Sequence, residues 1–452
     1  MDRMSNFDRP HMTRRHLFHL AGAGVTMGWL AQRVSAQAGS CQVVANVTTQ
    51  NTAKNVVFIL LTGAPSNIDT FDYKQTPDTP LNLLKPESVN GITWPSGLFP
   101  KLGAQLGDIA IIRTLRAWAL VHSLAQTWTQ IGRNPAAALG NIAPNIGSIV
   151  AFEKEMERQP GQVFPTFLAL NAPSGVGCGY LPSLYAPFHV QPAVNGIPDT
   201  KNPDDPTGQG VLQQRFLALD TIDHNLRTNA PYGPELADMD TFYQAARGMM
   251  YNPAVTKAFS YTAADSARYG SSGVGNALLV AKQVLEADQG TRFVQVAFGS
   301  WDHHQLIYSP QNLPKMSQQL DEGLSAFLAD LMSSGMLSDT LVVMCGEFGR
   351  TVGPLTSAKG RDHAPQQWAM FAGAGVTGGK IIGSTDPTGG MTADPGWSRN
   401  RDVKPEDLEA TIYSAMGINW TKVCYNDPFG RGFEYVPFSS QDLYGPVNEL
   451  WS

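Results

Sequence analysis

Apolar residues along this chain gather into short, nearly unbroken runs, with longer stretches of helical spacing between them. Asn55–Leu61 (NVVFILL), Ile109–Ile112, Phe164–Leu170, Phe293–Phe298, Leu341–Met344 and Trp368–Ala372 read as strands. Few polar residues alternate through them, which is the pattern of a strand covered on both faces. From Ser317 onward Leu320, Leu324, Phe327, Leu328 and Leu331 recur at helical spacing, with Asp321 and Glu322 opposite and Gly335 placed to stop the helix. Gly275–Ala287 predicts another helix, and Ala143–Ser148 resembles a helix start. Pro405–Met416 predicts a third helix, with Pro405 at its first position, acidic residues in its first turn and Gly417 at its end. A strand, a crossover helix and a second strand predict parallel neighbours. The expectation is therefore an α/β fold, its mostly parallel sheet sandwiched by helices. Residues 172–270 break the pattern, dense in Gly, Pro and Asn, and are expected to form an irregular insertion over the sheet's rim.

Composition narrows the class. The 452 residues are 42% hydrophobic and 15% charged, enough for a large core, and the net charge is -6. No dense basic run lies in the body of the chain, which excludes a nucleic-acid partner. The first forty residues read as a targeting segment. Thr13-Arg14-Arg15-His16-Leu17-Phe18 is similar to a twin-arginine signal, and small residues around Ala36 and Ala38 offer cleavage sites. This predicts a signal peptide over 1–38, the twin-arginine export machinery as partner, and a periplasmic or secreted protein of one domain, 39–452. The apolar run is too short and glycine-rich for a membrane span. Ala38-Gly39-Ser40-Cys41 is close to a lipobox, so a lipidated Cys41 is a second outcome for the same segment. Four cysteines allow up to two disulfides of unreadable connectivity, and Cys345, at the end of an apolar run, is expected as a buried thiol.

The chemistry gathers where strands end. Asp302 and His304 follow Phe293–Phe298, Glu347 and Arg350 follow Leu341–Met344, and Asp362 and His363 come on the next loop. Ligands bind outside the carboxyl ends of strands in open α/β sheets, so these side chains are expected on one rim. Mixed carboxylate and imidazole donors suit Zn²⁺ or Mn²⁺, and less specifically Ca²⁺.

The segments GSWDHH, GEFGRT and GRDH resemble the W-D-T-H, [SG]-E-F-G-R-T and G-x-D-H motifs of the bacterial family catalogued as domain of unknown function 1501. GAPSNIDTFD, GGKIIGSTD and PEDLEATIYSAMGI extend the likeness over most of the chain. That family is grouped with the alkaline-phosphatase and sulfatase superfamily, which implies an alkaline-phosphatase-like fold and a metal-dependent hydrolase of phosphate or sulfate esters. The substrate implied is a small-molecule or polysaccharide ester. In such a site Asp302, His304 and His363 would form one ligand set, and Asp69, Glu347 and Asp362 another, for one or two ions. Val121-His122-Ser123-Leu124-Ala125-Gln126 resembles the family's N-H-[DS]-x-A-Q, making His122 a metal or substrate ligand and Ser123 a nucleophile candidate. Arg350 would stabilise the anion or pair with Glu347. No cysteine stands in the C/S-x-P-x-R pattern, so a formylglycine mechanism is not expected. The alternative is an exported binding or assembly protein on a catalytically silent version of the fold.

Overall fold

The computed structural model describes residues 41–172, 176–202, 208–229 and 243–452. The expected export signal lies outside the described residues. Eight strands form the main sheet: β1 (Asn55–Leu61), β2 (Ile109–Arg116), β3 (Phe167–Leu170), β4 (Phe188–Val190), β5 (Phe293–Phe298), β6 (Thr340–Gly346), β7 (Gln366–Ala372) and β8 (Lys380–Ile382). Their spatial order is β8-β2-β7-β6-β1-β5-β3-β4. All run parallel except β7, which is antiparallel to both β2 and β6.

The sheet is covered on both faces, which is why its strands read as continuous apolar runs. Val57, Ile59 and Leu61 of β1 face one core with Val294, Val296, Val342 and Met344. Onto this face pack α3 (Gly273–Ala287) and α4 (Leu313–Ser333), through Leu278, Leu324 and Phe327 among others. Val56, Phe58 and Leu60 point the other way, into a core with Leu341, Val343 and Cys345. There α2 (Ile146–Lys154) and α5 (Pro405–Ala415) close the layer. A further helix, α1 (His122–Ile131), follows the end of β2 and stops at Gly132, whose φ of 56° is the left-handed cap a glycine accepts most easily. The fold is thus α/β, with helices on both sides of a mostly parallel sheet.

Two details depart from the sequence reading. The strands joined by α4, β5 and β6, are parallel as expected but not adjacent, since β1 lies between them. Residues 172–270 are more than an irregular excursion. They supply the sheet's last strand, β4, and helices at Gln209–Asn229, Pro253–Phe259 and Ala263–Arg268. A strand of three residues carries too little period to be legible beforehand. The cysteines resolve into one bridge: Cys41 and Cys424 form a disulfide between paired strands, while Cys178 and the buried Cys345 are free. A bridged Cys41 has no thiol left for a lipid. No helix among the described residues is long and apolar enough to cross a membrane.

Helix α5 buries three carboxylates, Glu406, Asp407 and Glu409, within its first five positions. Burial pushes Glu409 up to about 8, against the opposing pull of Arg133. Its Oε1 accepts from the Tyr413 hydroxyl at 2.9 Å, and its Oε2 is buried without a partner. Below the ordinary glutamate range both folded and unfolded chains hold the proton, and the group contributes nothing. As pH rises toward 8 the unfolded chain ionises first, so the fold loses stability across that window. Glu409→Gln, which keeps an acceptor for Tyr413, should therefore match the wild type near pH 4 and melt at a progressively higher temperature than it up to about pH 8. Parallel melting curves across that range would expose the opposite trend.

Candidate metal centre

Each residue of the centre is delivered by a strand end. After β1 the chain turns through Thr62, Gly63 and Ala64, and a Cβ on Gly63 would lie 2.8 Å from the backbone nitrogens of Trp301 and Asp302. Gly63, at φ 99°, lets this turn touch the loop after β5 and so sets where Asp302 sits. Asp302 and His304 ride that loop, and Glu347 follows β6 directly. Gly349–Arg350 then pairs antiparallel with His363–Ala364, which puts Arg350 opposite His363. Because β7 runs against its neighbours, its start lies at the rim where the others end. His363, just before β7, therefore reaches the same edge. His122, the first residue of α1, comes from the end of β2.

Four side chains converge there: His122, Asp302, His304 and His363, with one donor atom of each within 4.8 Å of all the others. His304 Nε2 lies 2.9 Å from His363 Nε2 and 3.1 Å from Asp302 Oδ1. His122 Nε2, buried and without a hydrogen-bond partner, is 3.4 Å from the same oxygen. The outer nitrogens explain the orientation. His122 Nδ1 is 2.7 Å from Glu347 Oε1, His304 Nδ1 2.9 Å from Asp362 Oδ1, and His363 Nδ1 2.7 Å from the Leu120 carbonyl oxygen. A carbonyl or an ionised carboxylate only accepts, so each Nδ1 carries a proton, and a ring in its neutral form turns its Nε2 lone pair inward. This is the arrangement by which outer partners orient metal-binding imidazoles.

The centre is thus crowded with acceptors. Its fixed positive charge is Arg350, whose buried guanidinium donates to Asp302 Oδ1 at 2.5 Å, to Ala64 O at 2.8 Å and also to Gly63 O. Partial burial works to raise Asp302, but the Arg350 hydrogen bond and charge outweigh it and hold the carboxyl below its usual range. The Glu347 hydrogen bond lifts His122 above the ordinary imidazole range despite partial burial. His363 goes the other way, lowered by burial and by the nearby Arg350. Buried His303, not one of the cluster's four donors, is pushed down to about 4 by desolvation, with Arg350 adding to it.

The other expected site residues are placed as follows. Glu347 and Asp362 stand behind His122 and His304 rather than among the four converging groups. Glu347 is fully buried and its Oε1 also accepts from Gly63 N at 2.9 Å and Gln126 Nε2 at 3.0 Å, while Oε2 has no partner. Arg350 pairs with Asp302 and not with Glu347. Asp69 is outside the cluster altogether. Its carboxylate, fully buried, takes Arg361 Nε at 2.7 Å and Ser66 Oγ at 2.6 Å on one oxygen, and the Tyr308 hydroxyl at 2.7 Å on the other. Ser123 is exposed in the first turn of α1, one residue past His122. Two contributors have no role assigned by the sequence. Gln126, one helical turn from His122, was detectable from its i,i+4 spacing. The Leu120 carbonyl left no signal, since any residue type supplies one.

Fold and centre together define an α/β protein with a rim-mounted cluster of three imidazoles and a carboxylate able to hold a divalent cation. The chain belongs to the family described as "Protein of unknown function (DUF1501)", which matches residues 53–442. No curated protein matches it. Solved structures similar to it include the lipoteichoic acid synthase LtaP from Listeria monocytogenes (10% identity, covering 89% of this chain and 78% of that one, TM-score 0.36). A protein in the alkaline phosphatase superfamily from Vibrio parahaemolyticus aligns at 11% identity over 92% and 77%, TM-score 0.38. The phosphonate monoester hydrolase of Agrobacterium radiobacter aligns at 11% over 80% and 74%, TM-score 0.35.

The Asp69–Arg361 pair has a direct consequence. Asp69→Ala leaves a buried guanidinium uncompensated and should cost roughly 3–5 kcal/mol of stability. Metal bound per folded chain should stay at the wild-type value. Denaturant unfolding alongside elemental analysis separates the two effects, and loss of metal from a folded variant would return Asp69 to the ligand set.

Proposed function

We propose that the protein is an exported, metal-dependent hydrolase of phosphate or sulfate esters, using one divalent ion held by His122, Asp302, His304 and His363. The observation that carries this reading is the inward convergence of three imidazole lone pairs on a carboxylate oxygen. Such a set is repulsive by itself and is relieved by a cation. The buried, unpartnered Nε2 of His122 fits that cation, and three nitrogen donors favour Zn²⁺ or Mn²⁺ over Ca²⁺, which takes oxygen. When bound, the ion would polarise an ester oxygen and favour ionisation of an attacking hydroxyl. Glu347, Asp362 and the Leu120 carbonyl hold the imidazoles in the binding tautomer. Arg350 keeps Asp302 ionised and sets a fixed positive charge beside it, which favours an anionic ester. Its guanidinium also meets the Gly63 and Ala64 carbonyls, so the rim beside Asp302 is already filled by a cation and the centre is proposed to be mononuclear. Export is supported by the Cys41–Cys424 bridge, since disulfides persist in oxidising compartments.

Metal should be present at about one ion per chain, and chelation should lower the melting temperature. At a hundredfold excess over its dissociation constant the ion should stabilise the fold by roughly 3 kcal/mol. His363→Ala and Asp302→Ala should remove both the chelator response and the hydrolysis of nitrophenyl phosphate or sulfate. A protein free of metal, melting identically with and without EDTA, would overturn the hydrolase reading in favour of a binding protein on the same fold.

Ser123, exposed beside His122, is the proposed attacking hydroxyl. Ser123→Ala should then reduce turnover at least a hundredfold with metal content unchanged. Turnover at the wild-type rate would assign the attack to water.

A further inference from the structure

A second concavity, of about 520 Å³, opens where the last turn of α1 meets the first turn of α5. Its volume is ordinary for a small-ligand site, and none of the four metal-centre side chains lines it. Two of its walls are indoles held at their edges. Trp118 and Trp128 both donate their Nε1 hydrogens to the carboxylate of buried Glu406, at 3.0 and 2.9 Å. Neither ring can swing away without abandoning that bond, yet Trp118 remains 48% exposed. At the mouth Phe438 is half exposed with φ at 57°, a left-handed conformation uncommon for a bulky side chain. Its amide donates to Glu434 Oε2 at 2.8 Å, which helps to fix it there. Locked, open aromatics and backbone strain beside a cavity are a cost without return unless something binds.

The charges around the cavity select the ligand. Lys404 Nζ lies 4.1 Å from the Trp118 ring centroid, and the Arg401 guanidinium 5.2 Å from that of Tyr444, another wall residue. These rings already carry a cation and Arg133 stands in the wall as well, while the wall's two carboxylates are engaged, Glu406 by both indoles and Glu434 by the Phe438 amide and the Ser440 hydroxyl, so a cationic ligand would meet like charge with no open counter-charge. A wholly apolar ligand would strip water from the polar edge. Asn134 there uses its Oδ1 on the Ala136 amide, which leaves its NH₂ without a protein partner among the described residues. What remains is a neutral or anionic molecule with an apolar face and a hydrogen-bonding edge. A pyranose ring has that form, its C–H face able to lie on an indole while its hydroxyls reach the edge.

We propose that this cavity is a glycan-binding site, built from Trp118, Trp128 and Phe438 for a neutral or anionic oligosaccharide. Trp128 lies six residues beyond His122 on α1, roughly 9 Å along the helix axis. Trp118 stands two residues before Leu120, whose carbonyl holds His363. A sugar chain in the cavity therefore lies close enough to present a neighbouring ester to the metal centre. That service rests on the hydrolase reading, whereas glycan binding itself needs no ion.

Tryptophan fluorescence and calorimetric titration of the full mature chain in EDTA, and again with added Zn²⁺, test the site. The probes are hexasaccharides of glucose and N-acetylglucosamine in different linkages, together with uronic-acid and sulfated oligosaccharides. At least one probe should bind saturably under both conditions. Trp118→Ala should weaken that binding tenfold or more. Phe438→Ala, which removes an exposed ring with no core contact to lose, should weaken it with the melting temperature unchanged. Absence of binding by every probe, or binding indifferent to both substitutions, overturns the proposal. Binding that appears only with Zn²⁺ also overturns it, and places the sugar at the metal centre. A hydrolase that binds no glycan refutes this inference alone, and a glycan binder without metal refutes the hydrolase reading alone.

Discussion

Lone pairs crowded together repel, and this centre holds one donor atom each from three imidazoles and a carboxylate within 4.8 Å of one another, the closest two 2.9 Å apart. Everything around it is arranged to keep the acceptors facing inward. Glu347, Asp362 and the Leu120 carbonyl each fix one outer nitrogen as a donor. Arg350 neutralises part of the excess and is itself pinned by two backbone carbonyls of the turn after β1. The raised proton affinity of His122 belongs to the same balance. In that crowded place any cation is welcome, and a proton and a metal ion compete for one nitrogen.

Rigid scaffolding makes the constellation affordable. The loops carrying Asp302 and Glu347 are anchored to β5 and β6, the two strands that flank β1 in a sheet buried on both faces. The Gly63 turn meets the Asp302 loop backbone to backbone, leaving no space for a side chain. A second close approach works the same way: a Cβ on Gly360 would collide with the His304 backbone, so the loop that delivers His363 is pressed against the loop that delivers His304. Positions set by main-chain contact hold ligand geometry more tightly than positions set by side-chain packing.

The molecule also separates two uses of buried charge. Asp69 and Arg361 pair with each other, Ser66 and Tyr308 complete the carboxylate, and the pair holds the loop after β1 to the loop before His363. Glu347 is as deeply buried, yet one of its oxygens has no partner. The first pair is closed and mechanical. The second carboxylate keeps one oxygen open. Glu406 is a third case, its carboxylate divided between two indoles that it holds as a platform.

The sequence by itself determined six of the main sheet's eight strands, helices that pack on it, and the rim. Runs such as NVVFILL announce burial on both faces, and the positions of Asp302, His304, Glu347 and His363 after strands announce a shared edge. It also carried the family likeness across most of the chain. Tertiary structure alone decided which carboxylates face the centre. Asp69 and Asp302 look alike along the chain, each a few residues past a strand, but Arg361 takes one and leaves the other to meet three histidines. Arg361 is 292 residues from Asp69, and Leu120 is 243 from His363. Periodicity reports only on neighbours within a few turns. Partners that distant are chosen by the order of strands in the sheet, and the antiparallel entry of β7, which brings His363 to the rim, is a property of the packed sheet and not of any local pattern.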